Sequence, residues 1–151
     1  MPPPTPTPGR LLIMSMRKVR FPANFQYLDA IRDLVAETAR EGGFNDKEIY
    51  SIQLAADEAA SNIIEHAYEG VTDGELEIAC GMDGALLTII LHDHGQPFDP
   101  GSVRPPDLKA DLSDRQIGGL GIYLMRKLMD EVRYESSPDG GNRLILSKRR
   151  S

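Results

Sequence analysis

The amino-acid sequence predicts a single α/β domain, and three observations support this fold class. Two segments, about 24–42 and 46–68, carry apolar residues at the spacing of one helix face. From Glu75 onward the apolar residues alternate with polar ones, which is the period of a strand. The length of 151 residues suits one domain that buries roughly 68–70% of its unfolded surface, and it leaves no room for a second.

A strand and two helices are predicted first along the chain. Residues 16–21 alternate enough to form the strand, and Asn24 can cap a helix that runs to the glycine pair at 42–43. Asp46 can then cap a second helix that extends to about Tyr68. Hydrophobic residues make up 40% of the chain but aromatic residues only 6%, so we expect an aliphatic core.

The second half of the chain predicts a hairpin, a helix and two further strands. Cys80, with apolar neighbours at 76 and 78, is expected to pack inside the first strand of the hairpin. The predicted elements are strands at 75–80 and 86–91 around a turn at 83–84, a helix after the glycines at 118–121, and strands near 131–136 and 143–148 with a turn at 139–142 between them. Residues 96–117 hold four prolines and little periodicity, which indicates a functional loop or lid.

Composition and charge exclude several functional classes. A formal charge of −6 argues against the basic surface that nucleic-acid binding uses, so we expect no nucleic-acid partner. The apolar run at 11–14 is too short for a signal peptide or a membrane span, so we expect no membrane partner. A single cysteine fits a reducing compartment, and we expect a cytoplasmic protein. Residues 1–15 are proline-rich and are expected to form a disordered leader.

Glu58 and Asn62 are the first candidate site residues. Positions four apart on a helix point the same way, so this carboxylate and this carboxamide lie one turn apart. The amide oxygen of Asn62 suits Mg²⁺, and Glu58 can accept a proton from an attacking hydroxyl or water. The alternative is that both are solvated residues on a helix face. His66, four residues further on, is either a phosphate contact or a histidine at the negative end of the helix dipole.

Asp93 and Gly95 follow the second strand of the predicted hairpin. A buried carboxylate at Asp93 can accept a hydrogen bond from the exocyclic amine of adenine and would repel the carbonyl oxygen of guanine. Gly95 would let the backbone approach a flat ring, although Asp-x-Gly is also a common turn. His92 and His94 lie two apart without a third ligand, so we do not expect a metal site there.

The glycine cluster at 118–121 is the third candidate. It precedes a helical pattern, so the backbone N–H groups of Gly119, Leu120 and Gly121, with the positive end of the helix, can face phosphates. Its spacing matches neither a Rossmann fingerprint nor a Walker loop. Arg115 lies shortly before the cluster and can reach a terminal phosphate.

Taken in order, three segments resemble the N, G1 and G2 boxes of the Bergerat-type (GHKL) ATP-binding fold. They are Asp57-Glu58-Ala59-Ala60-Ser61-Asn62, then Asp93-His94-Gly95-Gln96-Pro97-Phe98-Asp99-Pro100, then Gly118-Gly119-Leu120-Gly121-Ile122-Tyr123-Leu124-Met125. Each box is modest, whereas their order and spacing together are specific. The chain resembles the small anti-sigma-factor serine/threonine kinases of bacterial partner-switching systems, with a histidine-kinase-like ATP-binding domain at 16–149.

This resemblance implies a two-layer α/β sandwich, in which a mixed, mostly antiparallel sheet carries helices on one face. ATP would lie between the Glu58 helix and the lid. In the family the glutamate of the first box is the catalytic base and the asparagine holds Mg²⁺, which correspond to Glu58 and Asn62. Asp93 would read adenine, and the glycines of the third box would lie against the phosphates. Family members often place a basic residue directly before the Gly-x-Gly, whereas Arg115 is three residues removed.

The function implied by the resemblance is an ATP-dependent serine/threonine protein kinase that acts as an anti-sigma factor. Its partners would be a sigma factor and a small anti-anti-sigma (STAS-type) protein that it phosphorylates, and members are commonly homodimers. The alternative is a nucleotide-gated binding protein that sequesters a regulator with little or no kinase activity. Glu58 favours the kinase, because a pure binder needs no base. A sensor histidine kinase is disfavoured, since all three histidines lie inside the presumed ATP-binding domain.

Overall fold

The computed structural model describes residues 16–68, 73–97 and 119–151. Across these ranges a sheet of five strands carries three α-helices on one face. The leader expected at 1–15 and most of the lid expected at 96–117 lie outside the described residues. The two-layer α/β architecture predicted from the sequence is confirmed.

The helices and strands follow the order that the sequence predicts, with boundaries moved by a few residues. The elements are β1 (Arg17–Pro22), a 3₁₀ turn (Phe25–Tyr27), α1 (Leu28–Glu41), α2 (Asp46–Asn62), a π-helical segment (Ile63–Ala67), β2 (Glu75–Asp83), β3 (Leu86–Asp93), α3 (Gly119–Leu128), β4 (Glu131–Ser137) and β5 (Gly141–Arg149). The switch from helical to alternating apolar spacing near residue 75 therefore marks a real boundary between helix and strand.

The strands lie in the order β1-β2-β3-β5-β4, and every described neighbouring pair is antiparallel. The resemblance implied a mixed sheet, and on this point the expectation is corrected for the described residues. Short turns close the hairpins β2–β3 and β4–β5 and require antiparallel pairing there, whereas a parallel pair needs a long crossover. The pairs β1–β2 and β3–β5, which have longer connections, are antiparallel as well.

The core fills the space between the helices and the inner face of the sheet. Its fully buried side chains are almost all aliphatic, as the composition predicts: Ile31, Val35, Ile52, Leu76, Ile78, Leu87, Ile89, Leu91, Met125 and Leu146, with Cys80 among them. The Cys80 sulfur lies 3.1 Å from the hydroxyl of Thr38, and burial raises the pKa of its thiol. A buried thiol in this state is a packing residue, so the prediction for Cys80 is confirmed.

Two predicted helix caps are corrected. Asn45, and not Asp46, is the N-cap of α2: its side chain accepts from the Glu48 backbone N–H at 2.8 Å, while its own N–H donates to the Glu48 carboxylate at 3.0 Å. This reciprocal capping box needs a Glu three residues after the cap, and only Asn45 has one. Asn24 caps the 3₁₀ turn through the Gln26 N–H at 3.0 Å, and α1 begins later, at Leu28.

The second helix changes its winding at Asn62. The sequence predicts one helix to about Tyr68, but α2 ends at Asn62 and continues as a π-helical segment to Ala67. A π turn places more residues in each turn, so the side chains after Asn62 are shifted around the helix axis, and such turns are frequent at functional sites. His66 is therefore rotated from the direction that an unbroken α-helix, as predicted from the sequence, would give it.

Candidate functional site

The three candidate segments meet in one pocket at the end of the sheet. Its walls come from the end of α2 and the π segment, the end of β3, the start of α3, and strands β4 and β5: Asn62, Ile63, Ala67, Asp93, Gln96, Ile122, Met125, Tyr134 and Leu144. Most of these side chains are apolar, and few polar groups converge between them. That combination is typical of a site for a small organic ligand.

Glu58, Asn62 and Gly121 form one side of this region, which we call the helix end. A Cβ atom placed on Gly121 would lie 2.5 Å from Glu58 Oε2 and 3.6 Å from Asn62 Nδ2. The backbone at the start of α3 thus rests directly against both side chains of α2. The tertiary structure therefore brings the first and third sequence boxes together, and it does so through a residue without a side chain.

The Glu58 carboxyl lies in an environment that disfavours its charge. Partial burial raises its pKa, and the neighbouring carboxylates of Asp57 and Glu65 raise it further. Asp57 is paired with Arg32 of α1 on another side of the helix. Within the described ranges no hydrogen bond or ion pair reaches Glu58. Its carboxylate is thus available as a proton acceptor, with a pKa above the ordinary value of a glutamate.

Asn62 is buried but its amide is not satisfied. Only 6% of the residue is exposed, and Nδ2 has no hydrogen-bond partner among the residues the structure describes. A buried polar group without a partner costs roughly 1–3 kcal/mol. An unsatisfied buried amide next to Gly121, which has no side chain, is typical of a site that a ligand completes. The amide oxygen of Asn62 is also a kind of ligand that Mg²⁺ prefers.

Asp93 lies at the opposite side of the pocket, together with Asn142 and Ser136, and we call these three residues the strand end. Asp93 is only 4% exposed. Its Oδ1 accepts from the Gly95 backbone N–H at 2.9 Å and from Asn142 Nδ2 at 2.8 Å. In the described part of the chain no donor reaches its second oxygen, Oδ2. This carboxylate can therefore accept one more hydrogen bond, from a donor inside the pocket.

Gly95 makes a close approach that the sequence did not predict. A Cβ atom on Gly95 would lie 2.1 Å from the carbonyl oxygen of Ala67, and the Gln96 N–H donates to the same oxygen at 2.7 Å. The missing side chain therefore lets the end of β3 pack against the end of the π segment. The contact of Gly95 with a flat ring stays a prediction.

The histidines do not form a single site. His66 is half-buried, 3.7 Å from the Glu65 carboxylate, and it is absent from the pocket wall that Asn62 and Asp93 share. The rings of His92 and His94 lie 4.8 Å apart, and His92 Nε2 is 2.6 Å from the Gly140 carbonyl oxygen. Among residues 16–68, 73–97 and 119–151 no group of three metal-binding side chains gathers around them.

The glycine cluster opens a helix, as predicted. Gly119 and Gly121 lie in the first turn of α3. Backbone N–H groups in a first helical turn have no partner inside the helix, so they can bind an anion there. Arg115 and Gly118 lie outside the described residues, and so does the side chain of Leu120. Their predicted contacts with phosphates stay predictions.

Asn142 and Ser136 are the site residues that sequence reasoning missed. Asn142 was predicted only as part of a turn, and Ser136 only as a strand residue. Both are small polar residues in a segment of modest pattern, and neither belongs to one of the three boxes. The signal that could have found Asn142 is its place at the start of a strand beside the end of β3, which needs the strand order.

Comparison with known proteins gives consistent results. Residues 21–148 match the family described as the histidine kinase-like ATPase domain. The serine-protein kinase RsbW of Bacillus subtilis (strain 168) is 34% identical over 126 residues, which cover 79% of this chain and 77% of the relative. The serine-protein kinase RsbW of Bacillus licheniformis is 34% identical over 138 residues, covering 87% of this chain and 83% of the relative.

Two solved structures share the fold at low sequence identity. The RsbU and RsbW domains of a Mycobacterium tuberculosis protein superpose with a TM-score of 0.62 at 19% identity. The match covers 89% of this chain and 32% of that longer one. The catalytic domain of the histidine kinase ThkA gives a TM-score of 0.52 at 15% identity, covering 89% of this chain and 97% of that domain. Both likenesses concern the fold alone.

Proposed function

Since this chain belongs to the histidine kinase-like ATPase domain family, together with the RsbW serine-protein kinases, we propose that it is an ATP-dependent serine/threonine protein kinase. It acts as an anti-sigma factor and phosphorylates an anti-anti-sigma (STAS-type) partner on a serine or threonine. The observation that carries the kinase assignment is the contact of Gly121 with Glu58 and Asn62, because it sets a proton acceptor beside an anion-binding helix start.

In this proposal ATP binds in one orientation. Adenine lies at the strand end, where the free oxygen of Asp93 accepts a hydrogen bond from its exocyclic amine. The apolar walls, including Ile122 and Met125, cover the flat faces of the ring. The phosphates then lie toward the first turn of α3, whose N–H groups suit anions, with Gly119, Leu120 and Gly121 as the nearest residues. His66 and Arg115 remain candidate contacts of the phosphates.

Glu58 acts as the catalytic base in this assignment. The hydroxyl of the partner's serine passes its proton to the Glu58 carboxylate while its oxygen bonds to the γ-phosphorus. The bond between that phosphorus and ADP breaks, and ADP leaves with the bonding electrons. The raised pKa of Glu58 suits this role, because it brings the base nearer to the operating pH. A protein that only sequesters a regulator would gain nothing from a partly buried carboxylate that has no partner among the described residues.

Asn62 would hold Mg²⁺ through its amide oxygen. The fit rests on an amide that is buried and has a partnerless nitrogen within the described residues, next to the bare backbone of Gly121. When bound, the ion neutralises charge on the phosphates. Asn62 itself orients that end of the nucleotide against α2, one turn from Glu58.

Several parts of the assignment reach beyond the domain itself. The sigma factor and the anti-anti-sigma protein are proposed as partners, and a homodimer is proposed as the working form. A cytoplasmic location stays a prediction from the single cysteine. None of the helices in the described ranges has the length and apolar character to cross a membrane.

The test begins with the thermal midpoint of the purified protein in Mg²⁺ with ATP, with GTP, and without nucleotide. A ligand at ~100 times its Kd adds about 2.7 kcal/mol to the free energy of unfolding, so we expect a rise with ATP and none with GTP. Asp93→Asn should abolish the preference, since an amide can donate to the guanine carbonyl. Transfer of labelled γ-phosphate to a purified STAS-type protein then tests the kinase. ATP binding without any transfer would favour the nucleotide-gated binder.

A further inference from the structure

We propose that Asn142 is a positioning residue that, with Ser136 behind it, aims the Asp93 carboxylate at the adenine base and so sets nucleotide specificity. This inference rests on the proposed ATP-binding function and adds two residues to it. Neither residue lies in the three boxes that identify the family by sequence.

Register places the three side chains in one row across the sheet. Asn142 of β5 lies directly opposite Asp93 of β3, and directly opposite Ser136 of β4 on its other side. Residues opposite each other in an antiparallel pair point to the same face. Asn142 is 3% exposed and Asp93 4%, so these two side chains lie in a buried layer next to the pocket. Ser136, at the other side of Asn142, is exposed.

The hydrogen bonds of the Asn142 amide are nearly complete. Both hydrogens of Nδ2 are used, one donated to Asp93 Oδ1 at 2.8 Å and one to the Gly95 carbonyl oxygen at 2.9 Å. The amide oxygen accepts from the Ser136 hydroxyl at 2.8 Å. Turning the amide over would set its oxygen against two acceptor oxygens. The chemistry of the row therefore fixes which way the Asn142 amide faces.

A fixed amide in turn fixes the carboxylate. Asp93 Oδ1 is held by two donors from different directions, the Gly95 N–H and Asn142 Nδ2. Because a carboxylate is planar, holding one oxygen from two sides also sets the direction of the other. Oδ2 is thereby kept in the pocket as an acceptor, which matches the amine of adenine and opposes the carbonyl of guanine.

Gly141 lets Asn142 reach this position. Its φ is +76°, a left-handed conformation that favours glycine. A Cβ atom on Gly141 would lie 2.4 Å from the Asp93 carbonyl oxygen, so only glycine lets β5 begin this close to the end of β3. The turn before β5 is thus part of the recognition device: it sets the distance across which Asn142 bonds to Asp93.

The test compares ATP with purine riboside triphosphate, which lacks the exocyclic amine and keeps the rest of the nucleotide. Kd values are measured with Mg²⁺ for the wild-type chain and for Asn142→Ala. We expect the preference of the wild type for ATP over the analogue to fall about tenfold in the variant, since a hydrogen bond to a charged group contributes roughly 1.5–3 kcal/mol. A loss of general packing would weaken both nucleotides equally and leave the ratio unchanged.

A matched pair of serine variants tests the second step. Ser136→Ala removes the hydroxyl that holds the Asn142 oxygen, and the preference for ATP should fall about two- to threefold. The control is Ser137→Ala, because Ser137 donates nothing to Asn142 and instead accepts from the Gly140 N–H within the turn at 2.8 Å. Its nucleotide preference should match the wild type. If Asn142→Ala does not fold, Ser136→Ala still tests the positioning role of Asn142.

Two results would overturn the proposal in distinguishable ways. If the wild type prefers ATP over the analogue and Asn142→Ala and Ser136→Ala keep that preference, the positioning role is wrong while ATP binding stands. If the wild type binds ATP and the analogue equally, Asp93 does not recognise the amine. The proposed adenine site and the role of Asn142 are then both wrong. Loss of the preference in Asn142→Ala and Ser136→Ala, but not in Ser137→Ala, supports the proposal.

Discussion

The two ends of the pocket are built on opposite principles. At the strand end, Asn142 bonds to both Asp93 and Ser136, and within the described residues a single oxygen of Asp93 is left for a ligand. At the helix end, Asn62 has a partnerless buried nitrogen in the described structure and Glu58 has a raised pKa. The strand end is thus organised before a nucleotide arrives, whereas the helix end is left incomplete until one binds.

This difference assigns separate tasks to the two ends. Recognition of a flat base needs a fixed geometry, and the hydrogen bonds that hold Asn142 and one oxygen of Asp93 supply it without help from the ligand. Phosphoryl transfer needs a proton acceptor that is not already neutralised, and Glu58 has this property because no cation pairs with it within the described ranges. Such groups reduce stability, so the helix end should be the place where variants stabilise the fold and lose activity.

The largest effect is expected from removing the catalytic base, Glu58, at the helix end. Glu58→Gln removes the proton acceptor, and phosphate transfer should fall by about 10²–10⁴-fold while ATP affinity stays close to that of the wild type. The thermal midpoint without nucleotide should stay equal or rise at pH 7, because a carboxylate disfavoured by burial and by Asp57 is replaced with a neutral amide.

Glu65→Gln is the matched control for Glu58→Gln. Glu65 is an exposed carboxylate on the adjoining π segment, and its nearest ionic contact is His66 at 3.7 Å. Phosphate transfer by this variant should stay within a few-fold of the wild type, on the order of an exposed ion pair's contribution. Unchanged transfer in Glu58→Gln would contradict the base role and leave the binder as the better description.

A pair of glycine variants compares the two ends directly. In Gly95→Ala the new methyl meets the Ala67 carbonyl oxygen, which is backbone and cannot move aside, so the free energy of unfolding should fall by about 1–3 kcal/mol. In Gly121→Ala the methyl meets the tip of the Glu58 side chain, which can rotate, and alanine favours the helix by roughly 1 kcal/mol. Stability should then hold or rise, while transfer falls because Glu58 is displaced.

Urea unfolding and single-turnover transfer measured on both glycine variants separate these outcomes. The two variants are measured together because Gly95 serves the fold, whereas Gly121 serves the chemistry. Equal losses of stability in the two variants would show that the helix end is packed as rigidly as the strand end, and the division of tasks would be wrong.

The smallest expected effect is a pH dependence with a defined sign. Burial first, and then Asp57, raise the pKa of Glu58 above its ordinary 4.5 in the folded state. Its contribution to stability is therefore full below pH 4.5 and is lost as pH rises through the folded pKa, while transfer increases over the same window as the base loses its proton. Plotting the unfolding free energy and the transfer rate against pH should give opposite slopes.

Glu48 provides a control of opposite sign for that pH series. Its pKa is lowered, chiefly by the hydrogen bond from the Asn45 backbone N–H in the capping box. This contribution is present above pH 4.5 and is lost as pH falls through the folded pKa. Glu48→Gln should flatten the acid side of the stability profile and leave the pH dependence of transfer unchanged, whereas Glu58→Gln should remove the rise in transfer.

The elements and the three boxes were predictable because their signals are local. Helical spacing places Glu58 and Asn62 one turn apart, and the apolar run at 86–91 ends shortly before Asp93. The exact start and end of α2 were not predicted, for physical reasons. Asn45 caps α2 through a side chain three residues ahead, and the π segment after Asn62 changes the direction of His66 with no clear mark in the pattern.

By itself the sequence determined three helices, one hairpin and three further strands, the aliphatic core and the order of the boxes, since each depends on neighbours along the chain. Only the tertiary structure decided that Gly121 rests on Glu58, that Gly95 packs against Ala67, and that Asn142 bonds to Asp93. These contacts join residues 28–63 positions apart, and local patterns do not record which strands become neighbours. The strand order that places β5 beside β3 made a turn asparagine part of the site.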